Sequence, residues 1–249
     1  MKKNLLHNCI KKVFLDLTDV EHFVFFDSGD NKFSFKSLDT KYSTTVMSLV
    51  TMNYMDHLKA SVIIKEPDLF LKCLDIADDD VTLQVDSKIG ASRIYMKDGS
   101  FESEIVVADP SFVPSNIIEK KNTEVEEPIS YDVTIDVNAD FVEKFVKARK
   151  ANRSDTVSIW TKDRQSTFQL GDSNNFSNKI KFSVEMEGIF DMDKLVFSSV
   201  IIQTILERNK KGVGKIRVEP SGLMKLEFVE NIDGVEVFST YFMVANDSL

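Results

Sequence analysis

The chain has 249 residues, 43% of them hydrophobic and 29% charged, which is ordinary for a soluble globular protein. That length suits one large domain or two of about 120 residues. The net charge of −9 argues against nucleic acid as a partner, because phosphate contact rests on Lys and Arg, unless the positive charge is gathered on one surface. No apolar run reaches the roughly 18 residues of a membrane span. The opening MKKNLLHNCIKKVF has its apolar part broken by His7 and Asn8, and it lacks the core and cleavage site of a signal peptide.

Leu5, Leu6, Cys9, Ile10, Val13 and Leu17 recur at helical spacing and predict an amphipathic helix over roughly 4–16. His7, Asn8, Lys11 and Lys12 are placed on its other side. Consecutive antiparallel strands follow in HFVFF, KFSFKSL, YSTTVMSLV and ASVIIK, punctuated by turn signals such as DSGDN. Pro67 and Asp68 open a second, short helix with Leu69, Phe70, Cys73, Leu74 and Ala77 inward and Lys72 and Asp75 outward. Asp78, Asp79 and Asp80 end it. Strands are predicted again in VTLQV, ASRIYM and FESEIVV, with Lys97-Asp98-Gly99 as a hairpin turn. The two cysteines, Cys9 and Cys73, fall on apolar helix faces and read as buried free thiols, which fits a reducing cytoplasm.

Composition shifts at Ala108. Three of the five prolines and many charges lie between Asp109 and Pro128, and 109–130 reads as an extended connector between domains 1–108 and 131–249. After a strand at Tyr131–Val137 comes NADFVEKFVKARKANR, residues 138–153. Asn138 is placed as N-cap, with Asp140 and Glu143 in the first turn. Phe141, Val142, Phe145 and Ala148 form the apolar face, Lys144, Lys147 and Lys150 the opposite one, and Arg149 and Arg153 extend the positive run. Such a face reads either as a solvated helix surface or as one that meets phosphate. Strands follow at TVSIWT, STFQL and KIKFSVEME. Ser198 or Ser199 caps a fourth helix, whose inward residues are Ile201, Ile202, Ile205 and Leu206. Arg208, Lys210 and Lys211 lie at its end, and Gly212 and Gly214 terminate it. Strands KIRVE, LMKLEFV and VEVFSTYFMVA close the chain, the last two joined by a turn at Asp233-Gly234. The second half repeats the layout of the first, and each repeat packs a helix on a sheet face, an α+β arrangement.

The sequence lacks the glycine-rich nucleotide loops, the serine elbow and the zinc-protease helix motif. His7, His22 and His57 are scattered, and the three consecutive aspartates read as a solvated turn rather than a metal cluster. No enzyme, cofactor or metal site is expected. The positive charge instead gathers on predicted helices: Lys11 and Lys12, Lys72, then Lys144, Lys147, Lys150 and Arg153, then Lys210 and Lys211. Shared by one side, these residues suit sequence-independent contact with duplex backbone.

Three stretches, EPDLFLKCLDIADDDVTLQV, IVVADPSFVP and NADFVEKFVKARKANRSDTVSI, in this order and within this layout, resemble segments of the DNA sliding clamps. The resemblance covers nearly the whole chain; it is greatest to the clamps of T4-like tailed phages and next to the proliferating cell nuclear antigen. It implies a clamp fold of two similar domains, each with antiparallel sheets packed on two helices, closed as a homotrimeric ring around double-stranded DNA. It implies no catalysis by the chain itself, a replicative DNA polymerase as tethered partner, an ATP-dependent clamp loader and a cytoplasmic location, the host's if the protein is viral. Subunits would join by edge-strand pairing, Phe101–Val107 against Lys179–Glu187 of a neighbour. Partner peptides would dock at Leu38 to Val46, near Val113 and near Tyr241; core packing is the competing reading for Leu38, Val46 and Tyr241. The alternative for the whole chain is a viral structural or interaction protein built from repeated α+β modules.

Overall fold

A computed structural model gives the fold and describes residues 1–15, 24–29, 32–41, 44–54, 60–88, 91–108, 131–171, 178–188 and 190–246. The expected connector 109–130, with Val113, lies outside the described residues. The chain divides into two compact units. One gathers Met1–Asp39, Met47–Glu127 and Glu230–Ser239, the other Thr40–Val46, Pro128–Val229 and Thr240–Leu249.

In the first unit, α1 (Lys3–Val13) buries Leu5, Leu6, Cys9, Ile10 and Val13, one stripe of a helical wheel. It ends three residues before the predicted boundary, with the Phe14 N–H donating to the Ile10 carbonyl. Strands β1 (Val24–Gly29), β2 (Lys32–Lys41), β3 (Thr44–Asn53) and β4 (Ala60–Ile64) lie in the order β4-β1-β2-β3. Phe26 on β1 faces Phe35 on β2 and Val62 on β4, so one face of the sheet is aromatic and aliphatic. Helix α2 (Pro67–Ile76) follows, then β5 (Thr82–Lys88), β6 (Ala91–Lys97) and β7 (Glu102–Val107) as an antiparallel three-stranded sheet. Leu6, Phe26, Phe35, Phe70, Leu74 and Ile94 join one buried core.

The inward face of α2 differs from expectation. Pro67, Phe70, Leu71 and Leu74 are the buried residues, spaced i, i+3, i+4, i+7 from Pro67. Leu69 falls off that stripe and is exposed, and Cys73 is half-buried. The turn at Asp98 forms as expected: its carboxylate accepts from the backbone N–H groups of Asp78, Ser100 and Phe101, which holds the carboxyl below the usual range.

In the second unit, β8 (Val133–Val137) leads into α3 (Ala139–Asn152). Strands β9 (Thr156–Lys162), β10 (Gln165–Leu170), β11 (Ile180–Glu185) and β12 (Met192–Ser198) form an antiparallel sheet in the order β11-β10-β9-β12. The pairing of β12 with β9 shifts register between Met192 and Leu195. Helix α4 (Ser199–Arg208) is capped by Ser198, whose Oγ accepts from the Ile201 N–H at 3.4 Å. Strands β13 (Val213–Val218), β14 (Leu223–Ile232) and β15 (Val235–Val244) complete the order β15-β14-β13-β8. Asp233 and Gly234, at φ 52° and 83°, make the tight turn between β14 and β15.

The C-terminus of α4 corrects one expectation. Asn209 caps it, with Nδ2 donating to the Ile205 carbonyl at 2.8 Å and to the Tyr241 hydroxyl at 2.9 Å. Gly214 is no terminator but a residue of β13. A Cβ there would stand 2.4 Å from Cδ1 of Phe228, so the strand needs glycine to pass that ring.

Candidate nucleic-acid interface

Helix α3 is fixed by its cap and its apolar face. The Asn138 side chain accepts from the Phe141 N–H at 2.9 Å. Phe141 and Phe145 pack on Phe168 and Phe182, whose rings stack 5.2 Å apart across β10 and β11. Each fully buried Phe is worth roughly 1.5–3 kcal/mol, enough to set which face of α3 looks outward. The helix ends at Arg153, held left-handed at φ 58°. Lys144, Lys147 and Lys150 consequently stand exposed, as does Arg153. Lys147 pairs with Glu143 one turn earlier, which holds the Glu143 carboxyl below its usual range. Lys150 stands 3.9 Å from Glu207 of α4, both exposed, a pair worth at most about 1 kcal/mol.

Arg149 does not extend the positive run. Its guanidinium turns onto α4, donating to Gln203 Oε1 at 2.9 Å, near Ser199 Oγ at 3.4 Å and Asp155 at 3.8 Å. It ties the two helices together. Lys210 and Lys211 are exposed just beyond α4.

The first unit places its cations differently. Lys11 is half-buried, and Lys12 is 2% exposed, with Nζ 2.7 Å from Oε2 of Glu230. The outward position expected for Lys12 is therefore corrected. Leu5, Cys9 and Lys12 are spaced i, i+4, i+7, so Lys12 continues the buried stripe, and Glu230 makes its burial tolerable. The Lys3 ammonium donates to the carbonyls of Ala77 at 2.5 Å and Asp75 at 3.3 Å, beyond and at the end of α2. Lys72 is exposed on a helix that also carries Asp68 and Asp75.

Of the residues expected at a partner pocket, Leu38 is 41% exposed, while Val46 and Tyr241 are fully buried. Tyr241 is a core residue held by Asn209, so at Val46 and Tyr241 the core-packing reading holds and their own side chains are not offered to a partner. The side of β15 opposite Tyr241 carries the exposed Phe238 and the half-buried Phe242, with the Lys225 ammonium 5.6 Å from the Phe242 ring. Both faces of VEVFSTYFMV are apolar, so period-two alternation alone cannot say which face is buried. Strand β7 lies at one edge of its sheet and β11 at one edge of its own. Val106 on β7 is 57% exposed.

No family model matches the chain, and no curated protein matches it. Solved structures do. The chain superposes on the PCNA of A. fulgidus, solved with the C-terminal region of FEN-1 bound, with a TM-score of 0.69 at 14% identity, over 100% of this chain and 98% of that one. The fold is that of the DNA sliding clamps. The Proliferating Cellular Nuclear Antigen of Entamoeba histolytica gives a TM-score of 0.66 at 15% identity, over 99% of this chain and 96% of that one. The beta subunit of DNA polymerase III from Thermotoga maritima gives 0.72 at 15% identity, over 100% of this chain but only 65% of that longer one. The clamp fold places antiparallel sheets and helices as expected, an α+β architecture. Among the described residues, no group of three or more His, Cys, Asp and Glu is placed to hold a metal ion, and no helix is long and apolar enough to cross a membrane.

Proposed function

We propose that the chain is a DNA sliding clamp: a non-enzymatic ring that encircles duplex DNA and tethers a replicative polymerase. The superposition on clamp structures along essentially the full chain carries the reading. The exposed lysines of α3 support it, because mobile ammonium groups attract a duplex without reading its bases. An acidic remainder discourages DNA from adhering elsewhere. Processivity then comes from topology and from the raised local concentration of the tethered polymerase. An ATP-dependent loader would open the ring.

The domains of the working clamp are taken as 1–108 and 131–249, joined by 109–130. The ring is a homotrimer in which Phe101–Val107 of one copy pairs with Lys179–Glu187 of the next, leaving no unpaired edge at those strands. Partner peptides dock near the exposed Leu38 and, by the resemblance of the sequence, near Val113. A viral source and action in the host cytoplasm rest on the sequence stretches alone. The test is primer extension on singly primed circular DNA with a phage-type polymerase and loader. Product length should rise with this protein, and the gain should vanish when loader or ATP is left out. Unchanged product lengths with an otherwise working system would refute the function.

A further inference from the structure

We propose that the two units divide the contact with duplex: the second unit carries the phosphate contact, and the helical surface of the first is built not to. This rests on the clamp reading and refines it.

Among the described residues of the first unit, three cations on or beside α1 are engaged by its own acids and carbonyls, which leaves Lys11 and Lys72 on the helices. Lys2 pairs with Asp80 at 2.8 Å, Lys3 donates to the carbonyls that end α2, and Lys12 is buried against Glu230. His7 lies 3.1 Å from the Asp75 carboxylate. What α2 presents outward is Asp68, Leu69, Lys72, Asp75 and Ile76, with Asp78, Asp79 and Asp80 exposed just past its end. A phosphate approaching that surface meets more carboxylates than ammonium groups, and two exposed apolar side chains that give it nothing.

The second unit is the reverse. Lys144, Lys147 and Lys150 follow one another every three residues along α3, which advances each about 4.5 Å within a 120° arc. Arg153 caps that helix, and Lys210 and Lys211 follow α4, all three exposed. Four exposed acids stand near them: Glu143 beside Lys147, Glu207 beside Lys150, Asp140 in the first turn of α3 and Asp155 just past Arg153, against six exposed cations. Duplex held by such a subunit tracks toward its second unit.

Fluorescence anisotropy of a labelled duplex, taken across a salt series, separates the possibilities. In the variant Lys144→Gln/Lys147→Gln/Lys150→Gln, the slope of log K against log salt should fall by about three, one for each phosphate no longer neutralised. The variant Lys11→Gln/Lys72→Gln should keep the wild-type slope, and Asp68→Asn should tighten binding. Thermal melts by circular dichroism establish that each variant is folded. Equal weakening per lysine in the two multiple variants would overturn the division while leaving the clamp reading standing. A wild-type protein that binds no duplex at low salt would overturn the division as well, whereas the clamp reading is decided separately by the primer-extension test.

Discussion

Lys12 crosses from α1 to the end of β14, where its ammonium lies 2.7 Å from a carboxylate that is itself only 11% exposed. An ion taken this far out of water is tolerable only with its partner in place. Lys12→Met strands Glu230 and should lower unfolding stability by roughly 3 kcal/mol in urea titration. Adding Glu230→Leu should restore much of it, because an apolar pair of similar size replaces an ion pair at little net cost. Duplex binding by the double variant should match wild type, which a lysine in the DNA surface could not survive. His7 is the second informative side chain. Burial and the neighbouring Lys11 lower its proton affinity, opposed by Asp75. Folded His7 therefore holds a proton less well than the unfolded chain, and the unfolded state binds more protons just below the ordinary histidine value of about 6.5. Stability contributed by neutral His7 is complete above that value and is lost as pH falls through it. Urea midpoints taken between about pH 7.5 and pH 5.5 should drop more steeply for wild type than for His7→Gln. A parallel pair of curves would show that the histidine is indifferent. Cys9, whose thiol burial pushes up to about 12, stays protonated throughout this range.

At the scale of elements, helices and strands were legible wherever local pattern and tertiary burial agree. The cap at Asn138, the phenylalanines of α3 and the Asp233-Gly234 turn each encode their geometry within a few residues, and all three stand where expected. Three kinds of feature were not legible. Lys12 sits on a buried stripe by spacing but reads polar by type, and the carboxylate that makes its burial possible lies 218 residues away. Strand β15 is apolar on both faces, so which face is buried was undetermined, and Tyr241 read equally as a docking residue and as core; it is core. Gly214 stands beyond a helix and suggested a terminator; the reason for it is the Phe228 ring on the neighbouring strand. That last reading makes a prediction. Gly214→Ala would bring a Cβ to 2.4 Å from the ring and to 2.5 Å from a backbone carbonyl. Overpacking of this kind costs about 1–3 kcal/mol, so the variant should unfold at a correspondingly lower urea concentration. An unchanged midpoint would mean that β13 and β14 can part freely at this point.

At the scale of the whole molecule, the proposed ring depends on two strands that end their sheets. Strand β7 carries Glu102 and Glu104 on its exposed face, both already paired within the sheet, to Lys97 and Arg93. Strand β11 presents Lys181, Ser183 and Glu185 outward. Among the described residues each strand ends its sheet, and the pairing of one with the other in a second copy would continue both sheets. Val106 is the residue to change. It is mostly exposed in the single chain, so Val106→Asp should alter monomer stability by no more than about 0.5 kcal/mol. Within a sheet junction, replacing the β-branched valine by aspartate removes a strand-favouring residue and its cross-strand apolar contact with the next copy, at a cost of about 1 kcal/mol for each junction. Light scattering behind size exclusion should then give the mass of three chains for wild type at micromolar concentration and of one chain for the variant. A variant that keeps the wild-type mass would move the subunit contact away from β7. A wild type that remains a single chain at the highest attainable concentration would leave the ring without a means of closure.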